Sequence, residues 1–343
     1  MKTVLSFPGL GIGEFTIDPI AFTIPIGDGI KIHWYGLIIV VGMILAFSYC
    51  AFRARQEGIL FDDLLDIALF TIIFAVIGAR AYYVLTSLDQ YDNFLDAFKI
   101  WNGGLAIYGG IIAGAITIFI VCKVKKFTLN KTIKMFDAVA PAVMIGQIIG
   151  RWGNFCNGEA YGMPTDLPWR MCSTKFAQEL YTKEIIDEST QKLLLNGTLG
   201  VHPTFFYEAL WNLIGFILIH FLYKKKKFDG QNVLMYLTWY GFGRMIIEGL
   251  RTDSLYVGPF RVSQVVGFLC FVIGGILLTV LLVKAYRKAK DAEEYTYSYK
   301  KVPATAAVTE NADADEAEEA VIINPDTSDN ENEEKTNSQE DGE

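Results

Sequence analysis

The stretch Arg151-Trp-Gly-Asn154-Phe-Cys-Asn157-Gly-Glu159-Ala-Tyr-Gly162 gathers a guanidinium, two carboxamides and a carboxylate within nine residues, directly after the apolar run 138–150. Such groups are expensive next to hydrocarbon and normally face a cavity or one another. A second stretch, Tyr240-Gly-Phe-Gly-Arg244-Met-Ile-Ile-Glu248-Gly-Leu-Arg251, places Tyr240, Arg244, Glu248 and Arg251 at helical spacing on one face. Arginine stays charged and can donate two parallel hydrogen bonds, so two arginines from different helices at one depth make a clamp for a phosphate. Plainer readings use the same residues: an Arg151–Glu159 salt bridge at a helix end, and an ion-pair ladder that locks a bundle.

Three further groups sit at the starts of apolar runs. His33-Trp34-Tyr35-Gly36 fits either an interfacial aromatic belt or a site wall reached by Tyr35. Gly103-Gly104-Leu-Ala-Ile-Tyr108-Gly109-Gly110 fits close helix packing or close approach of a lipid to Gly104 and Tyr108. In His202-Pro203-Thr204-Phe-Phe-Tyr207-Glu208, Thr204 can cap a helix and Glu208 lies near its positive end, or the segment lines a site.

The elements that must position these groups are membrane helices. Hydrophobic residues make up 52% of the 343 residues, and mean hydropathy is +0.30. The apolar residues fall into seven candidate spans: roughly 33–52, 64–85, 104–122, 136–150, 205–223, 232–250 and 262–283. A helix needs about 20 residues to cross a bilayer. The fourth is short and contains Pro141. The expected fold is therefore an all-α polytopic membrane protein of about seven transmembrane helices. No N-terminal segment carries a signal-peptide pattern, and residues 1–32 read as an extracytoplasmic, interfacial segment.

Alternate loops are basic: Arg53 and Arg55; Lys123, Lys125, Lys126, Lys131 and Lys134; Lys224, Lys225, Lys226 and Lys227; and Lys284, Arg287, Lys288 and Lys290. The loop 87–102 carries Asp89, Asp92 and Asp96 against Lys99. By the positive-inside rule the N-terminus is outside and the C-terminus cytoplasmic. Segment 151–203 then forms a small extracytoplasmic head on the 33–290 body. Residues 291–343 hold 17 acidic residues and three lysines, leaving the body at +6, from 27 basic and 21 acidic residues. With so little apolar surface this segment reads as a disordered cytoplasmic tail.

Cys50, Cys122 and Cys270 fall in spans, whereas Cys156 and Cys172 share the outside segment, where a disulfide between them is open. No zinc spacing, P-loop, dinucleotide fingerprint or nucleic-acid-binding surface is present, so no metal, cofactor or nucleic-acid partner is expected.

Taken in order, these motifs resemble the phosphatidylglycerol–prolipoprotein diacylglyceryl transferases of the bacterial inner membrane. The Arg151–Gly162 pattern is the family's signature. The other four motifs extend the likeness over about residues 20–285. The resemblance implies transfer of the diacylglyceryl group of phosphatidylglycerol to the lipobox cysteine of a prolipoprotein signal peptide. A thioether forms and glycerol 1-phosphate leaves, as the first step of lipoprotein maturation in the bacterial cell membrane.

On this resemblance, Arg151 and Arg244 bind the phosphodiester, and at least one stabilises the leaving group. Asn154 donates to the head group, and Glu159 orients Arg151 or bonds the glycerol hydroxyls. Tyr35 and Tyr240 line the pocket, Gly104 and Gly162 permit close backbone approach, and Glu248 fixes Arg244. Many family members carry a histidine where this chain has Tyr108. A phenol with a reference pKa of about 10 is a poor base. Tyr108 titrating unusually, His202 substituting, and the arginine field lowering the thiol pKa all stay open, with the arginine field ranked first. Two other classes use the same residues: a transporter or channel for an anion, which would more readily show inverted repeats, and a non-catalytic membrane scaffold.

Overall fold

A computed structural model describes residues 2–27, 29–88, 98–99 and 103–291. The reading of 291–343 as a disordered tail and the acidic side of the 87–102 loop fall almost wholly outside these residues.

The chain opens with two hairpins, β1 (Thr3–Phe7) with β2 (Ile12–Ile17) and β3 (Ile20–Ile24) with β4 (Ile30–His33). Helices α1 (Trp34–Gln56), α2 (Phe61–Thr86), α3 (Ile107–Val124) and α4 (Leu129–Asn157) follow. Next come β5 (Pro164–Thr165), α5 (Thr174–Thr182), α6 (Glu188–Leu195), β6 (Gly200–Val201), α7 (Thr204–Leu222) and α8 (Gln231–Ile247). The short hairpin β7 (Tyr256–Val257) and β8 (Phe260–Arg261) leads into α9 (Val262–Asp291). Among the described residues, six helices are long and apolar enough to cross a membrane: α1, α2, α3, α4, α7 with its extension to Lys225, and α9. The expected sixth span, roughly 232–250, is only a 17-residue helix that ends in a 3-10 turn over Glu248–Leu250. It is shorter than the roughly 20 residues that cross a bilayer.

The body is mostly helical, as expected of an all-α polytopic membrane protein, with four short two-stranded sheets among the described residues. The first two of these sheets come from the segment before α1. The backbones of Ser6 and Cys172 exchange hydrogen bonds of 3.0 and 2.9 Å, which fasten β1 to the segment after α4. Leu5 enters a core with Tyr161, Met171, Phe176, Leu180 and Val201, so the N-terminal hairpin and residues 161–201 share one head core. Burial and the neighbouring Glu179 carboxylate push the Tyr161 phenol pKa up. All five cysteines are free, Cys156 and Cys172 included.

The largest revision concerns α4. It is 29 residues long, starting where the Thr128 hydroxyl accepts from the Lys131 amide and stopping at Gly158 in the left-handed region. Polar residues at both ends conceal its length in the sequence. The first part of the Arg151 motif, Arg151 to Asn157, is therefore the last two turns of a long helix, and Gly158 to Gly162 follow it. α4 packs against α1, α7 and α8, while α2 pairs with α3 and α8 with α9. Trp211 and Trp239 join α7 to α8 by stacking at 4.3 Å, and each indole N–H donates to the other residue's carbonyl.

At the end of the bundle away from Arg151, the Lys226 ammonium is fully buried among Glu57 (2.8 Å), Asp137 (3.1 Å) and Asp229 (3.2 Å). Asp137 also accepts from the Gly230 and Val233 amides at 2.8 and 3.1 Å. Removing one partner of such a cluster leaves uncompensated charge, at a cost of about 3–5 kcal/mol. Lys226→Met is thus expected to lower the melting temperature in detergent while leaving KM of the folded fraction unchanged. A raised KM with unaltered melting would show that the cluster is coupled to the site rather than to stability.

Candidate active site

Glu208 organises the other end of the bundle. It stands one turn into α7, 2% exposed, and both its oxygens are engaged. Arg151, from the penultimate turn of α4, donates through Nη2 to Oε1. Arg244, from the last turn of α8, donates through Nη1 to Oε2 at 2.8 Å, and Arg251 Nη1 lies 3.7 Å from the same oxygen. Two helix ends and the extended residue after α8 thus bring three guanidiniums to one carboxylate.

Around this centre the remaining charges are held in turn. Arg244 Nη2 is 2.8 Å from Glu248 Oε2. Arg251 makes a two-pronged contact with Asp253, from Nε at 2.8 Å and from Nη2 at 2.7 Å. Burial raises the Asp253 pKa, but the Arg251 hydrogen bond and charge outweigh it, and the net shift is downward. Arg261 Nη1 donates to the carbonyl of Arg251 at 3.0 Å and to that of Glu248. The side chains of Glu208 and Glu248 are each 2% exposed, against 18% for Arg151 and 15% for Arg244. Glu208 and Glu248 lie behind Arg151 and Arg244, so the accessible side of this pair is cationic and suited to an anion, while the more exposed Asp253 flanks Arg251.

Asn154 connects this centre to Glu159. Arg151 Nη1 lies 3.4 Å from Asn154 Oδ1, whose Nδ2 donates to Glu159 Oε1 at 2.9 Å; Asn157 Nδ2 donates to the same oxygen at 3.3 Å. Glu159 therefore touches Arg151 only through Asn154, and the direct Arg151–Glu159 bridge of the plainer reading does not form. The expected face of Tyr240, Arg244, Glu248 and Arg251 holds through Glu248. Beyond it the helix tightens, and Arg251 is extended, with its amide accepted by the Glu248 carbonyl at 3.2 Å.

The other residues singled out in the sequence surround this centre. Tyr35 of α1 packs on Gly153, where a Cβ would come within 2.8 Å of its ring. Tyr240 stacks on Tyr236 at 5.6 Å, and Tyr236 accepts from Gln147, one turn before Arg151, at 3.0 Å. Gly162 lies where β-type pairing to Arg251 leaves no room for a Cβ, which would come within 2.7 Å of the Leu250 carbonyl oxygen.

Tyr108 and His202 form no hydrogen bond or ion pair with Arg151 or Arg244 among the described residues. The Tyr108 hydroxyl donates to Ser263 of α9 at 2.7 Å. His202 Nδ1 is 3.2 Å from the Tyr207 hydroxyl, which also accepts from Trp169 at 2.6 Å. Burial holds the His202 imidazole below its ordinary pKa.

Two residues were underrated in the sequence. Glu208 reads there as a helix-end acid, although a lone carboxylate in an apolar run is a signal in itself. Arg80 was passed over inside the second span. It is 8% exposed and donates to the carbonyls of Gly103 and Gly104 at 2.7 and 3.0 Å. That fixes the turn before α3, where Gly104 has φ +76° and a Cβ would come within 2.5 Å of Arg80 Nη1.

Comparison with known proteins accords with this geometry. Residues 19–280 match the family model described as prolipoprotein diacylglyceryl transferase. The chain is 42% identical over 277 residues to the phosphatidylglycerol–prolipoprotein diacylglyceryl transferase of Finegoldia magna, covering 80% of this chain and all of that one. Proteins of the same name from Streptococcus equi subsp. zooepidemicus and Clostridioides difficile are 42% and 40% identical, over 76% and 78% of this chain and 94% and 96% of theirs. The chain belongs to the prolipoprotein diacylglyceryl transferase family.

Proposed function

We infer that this protein transfers the diacylglyceryl group of phosphatidylglycerol to the cysteine thiol of a prolipoprotein lipobox. The observation that carries the reading is the pair of guanidiniums from α4 and α8, set on the two oxygens of buried Glu208 with their outer faces accessible. The cysteine sulfur attacks the glycerol carbon bonded to phosphate. A C–S bond forms, the C–O bond breaks, and its electron pair leaves with the phosphate. The thiol proton passes to solvent or to the departing phosphate. The products are a thioether and glycerol 1-phosphate.

Arg151 and Arg244 bind the phosphodiester and stabilise the charge that grows on the leaving oxygen, the kind of preorganised electrostatics that usually dominates such catalysis. Asn154 donates to the head group, and Glu159 holds Asn154 and meets the glycerol hydroxyls. Glu208 and Glu248 are positioning residues. Tyr35 and Tyr240 wall the pocket, and Gly104 and Gly162 allow close backbone approach. The arginine field lowers the thiol pKa, with Tyr108 tying α3 to α9. A transporter would more readily show inverted repeats, and a scaffold would not need arginines converging at outer-leaflet depth.

Contacts among Glu57, Asp137 and Lys226 put the basic ends of α1, α4, α7 and α8 together. This supports a seven-span arrangement, with α8 as the short span, the C-terminus cytoplasmic and the 151–203 head outside, in the inner membrane of a bacterial cell. Residues 1–32 then belong with the head, 33–290 form the catalytic body, and 291–343 form a cytoplasmic tail.

His202→Gln separates the routes to the thiolate. With the arginine field as activator, turnover stays within a few-fold of the parent across neutral pH. A loss of about 10²-fold or more, with the acid limb of the pH profile abolished, would make His202 the general base. The reaction class is tested by phosphorus NMR of the purified protein with phosphatidylglycerol and a lipobox peptide. A phosphomonoester signal should grow only with the cysteine peptide and not with its serine counterpart. Monoester release independent of the thiol would point to a lipid hydrolase instead.

A further inference from the structure

An apolar groove runs along the α8–α9 seam, between Leu234 and Leu237 on one wall and Val266, Cys270, Ile273 and Leu277 on the other. Both walls lead up to the site. On α8, Leu234, Leu237, Gly241 and Arg244 step by three and four residues and so form one stripe. On α9, Ser263, Val266, Cys270, Ile273 and Leu277 do the same, and Ser263 accepts the hydroxyl of Tyr108. The two helices touch backbone to backbone at Gly241 and Gly267, between Leu237 and Arg244 along the α8 stripe. From Val266 to Leu277 the groove extends about 16 Å along the helix axis. That is roughly half the ~30 Å hydrocarbon thickness, the depth of one leaflet. The groove is apolar along its length, and the two stripes run on past it to Arg244 on α8 and to Ser263 on α9.

We propose that this groove is an acyl-chain subsite: one chain of the lipid lies along the α8–α9 seam while Arg151 and Arg244 hold its phosphate. The proposal rests on the transferase reading and adds the residues that select chain length. A chain long enough to reach Leu277 gains contacts that a short one cannot make.

The test measures kcat/KM with dipalmitoyl and dioctanoyl phosphatidylglycerol for the parent, Leu277→Trp, the milder Leu277→Phe, and Ile276→Trp. Ile276 is 59% exposed and is not a lining residue of the groove. Filling the floor with Leu277→Trp should cost the dipalmitoyl lipid about tenfold, the scale of lost hydrophobic pocket contacts. The dioctanoyl lipid should be nearly unaffected, Leu277→Phe intermediate, and Ile276→Trp equal to the parent. Equal losses with both lipids, or no loss with either, would overturn the subsite. Failure of the parent protein to use any phosphatidylglycerol would overturn the transferase reading itself, and this is seen before any substitution is made.

Discussion

Arg244→Ala should lower kcat/KM for lipid transfer by about 10²–10³-fold, the range for removing one preorganised donor from a developing oxyanion. The fold should survive, because Glu208 keeps its bond from Arg151 and its proximity to Arg251. Arg151→Ala should fall in the same range, with Arg244 still bound to Glu208 at 2.8 Å. Lysine at either position keeps the charge but loses the planar fork, so Arg244→Lys and Arg151→Lys should recover only part of the rate. Turnover and melting are measured on the same detergent preparations. A rate that merely follows the folded fraction would restore the ion-pair-ladder reading.

Glu208→Gln should be harmful in a different way. The carboxylate is 2% exposed and faces guanidiniums from α4, α8 and the segment after α8. Replacing it with an amide leaves those cations mutually repelling and only partly bonded. Breaking a buried pair from one side costs about 3–5 kcal/mol, and the melting temperature should fall by roughly 10 °C. Activity of the surviving folded fraction should drop as well, because the guanidiniums lose their common anchor. Combining Glu208→Gln with Arg244→Gln gives the decisive comparison: residues acting through one contact are non-additive. The double variant should therefore melt above the sum of the two single losses. Strict additivity would mean that Glu208 and Arg244 act independently and that Glu208 does not position the pair.

The convergence of Arg151 and Arg244 was legible in the sequence, because each is a cation set in or directly after an apolar run. The group between them was harder to read. Glu208 sits near a helix start, where a carboxylate has a local electrostatic reason to be. Only the packing of α7 between α4 and α8 shows that it faces two arginines. Arg80 was missed in part because Gly103 and Gly104 meet it through backbone carbonyls, which carry no residue-type signal. The length of α4 was hidden by its own function, since Asp137 at one end and Arg151 and Asn154 at the other break the apolar run from which helix length was read. The N-terminal hairpins escaped for another reason. Their Ile, Phe and Thr residues also suit an interfacial segment, and it is the pairing of Ser6 with Cys172, some 165 residues away, that ties the first strand to the head.

The most direct measurement incubates the full-length protein, in detergent, with phosphatidylglycerol and a one-cysteine lipobox peptide, and follows the peptide by mass spectrometry. The expected result is a peptide heavier by one diacylglyceryl group on sulfur, absent with folded Arg151→Ala and Arg244→Ala. An unmodified peptide with folded parent protein, or full modification by both arginine variants, would contradict the assignment of the phosphate to this pair.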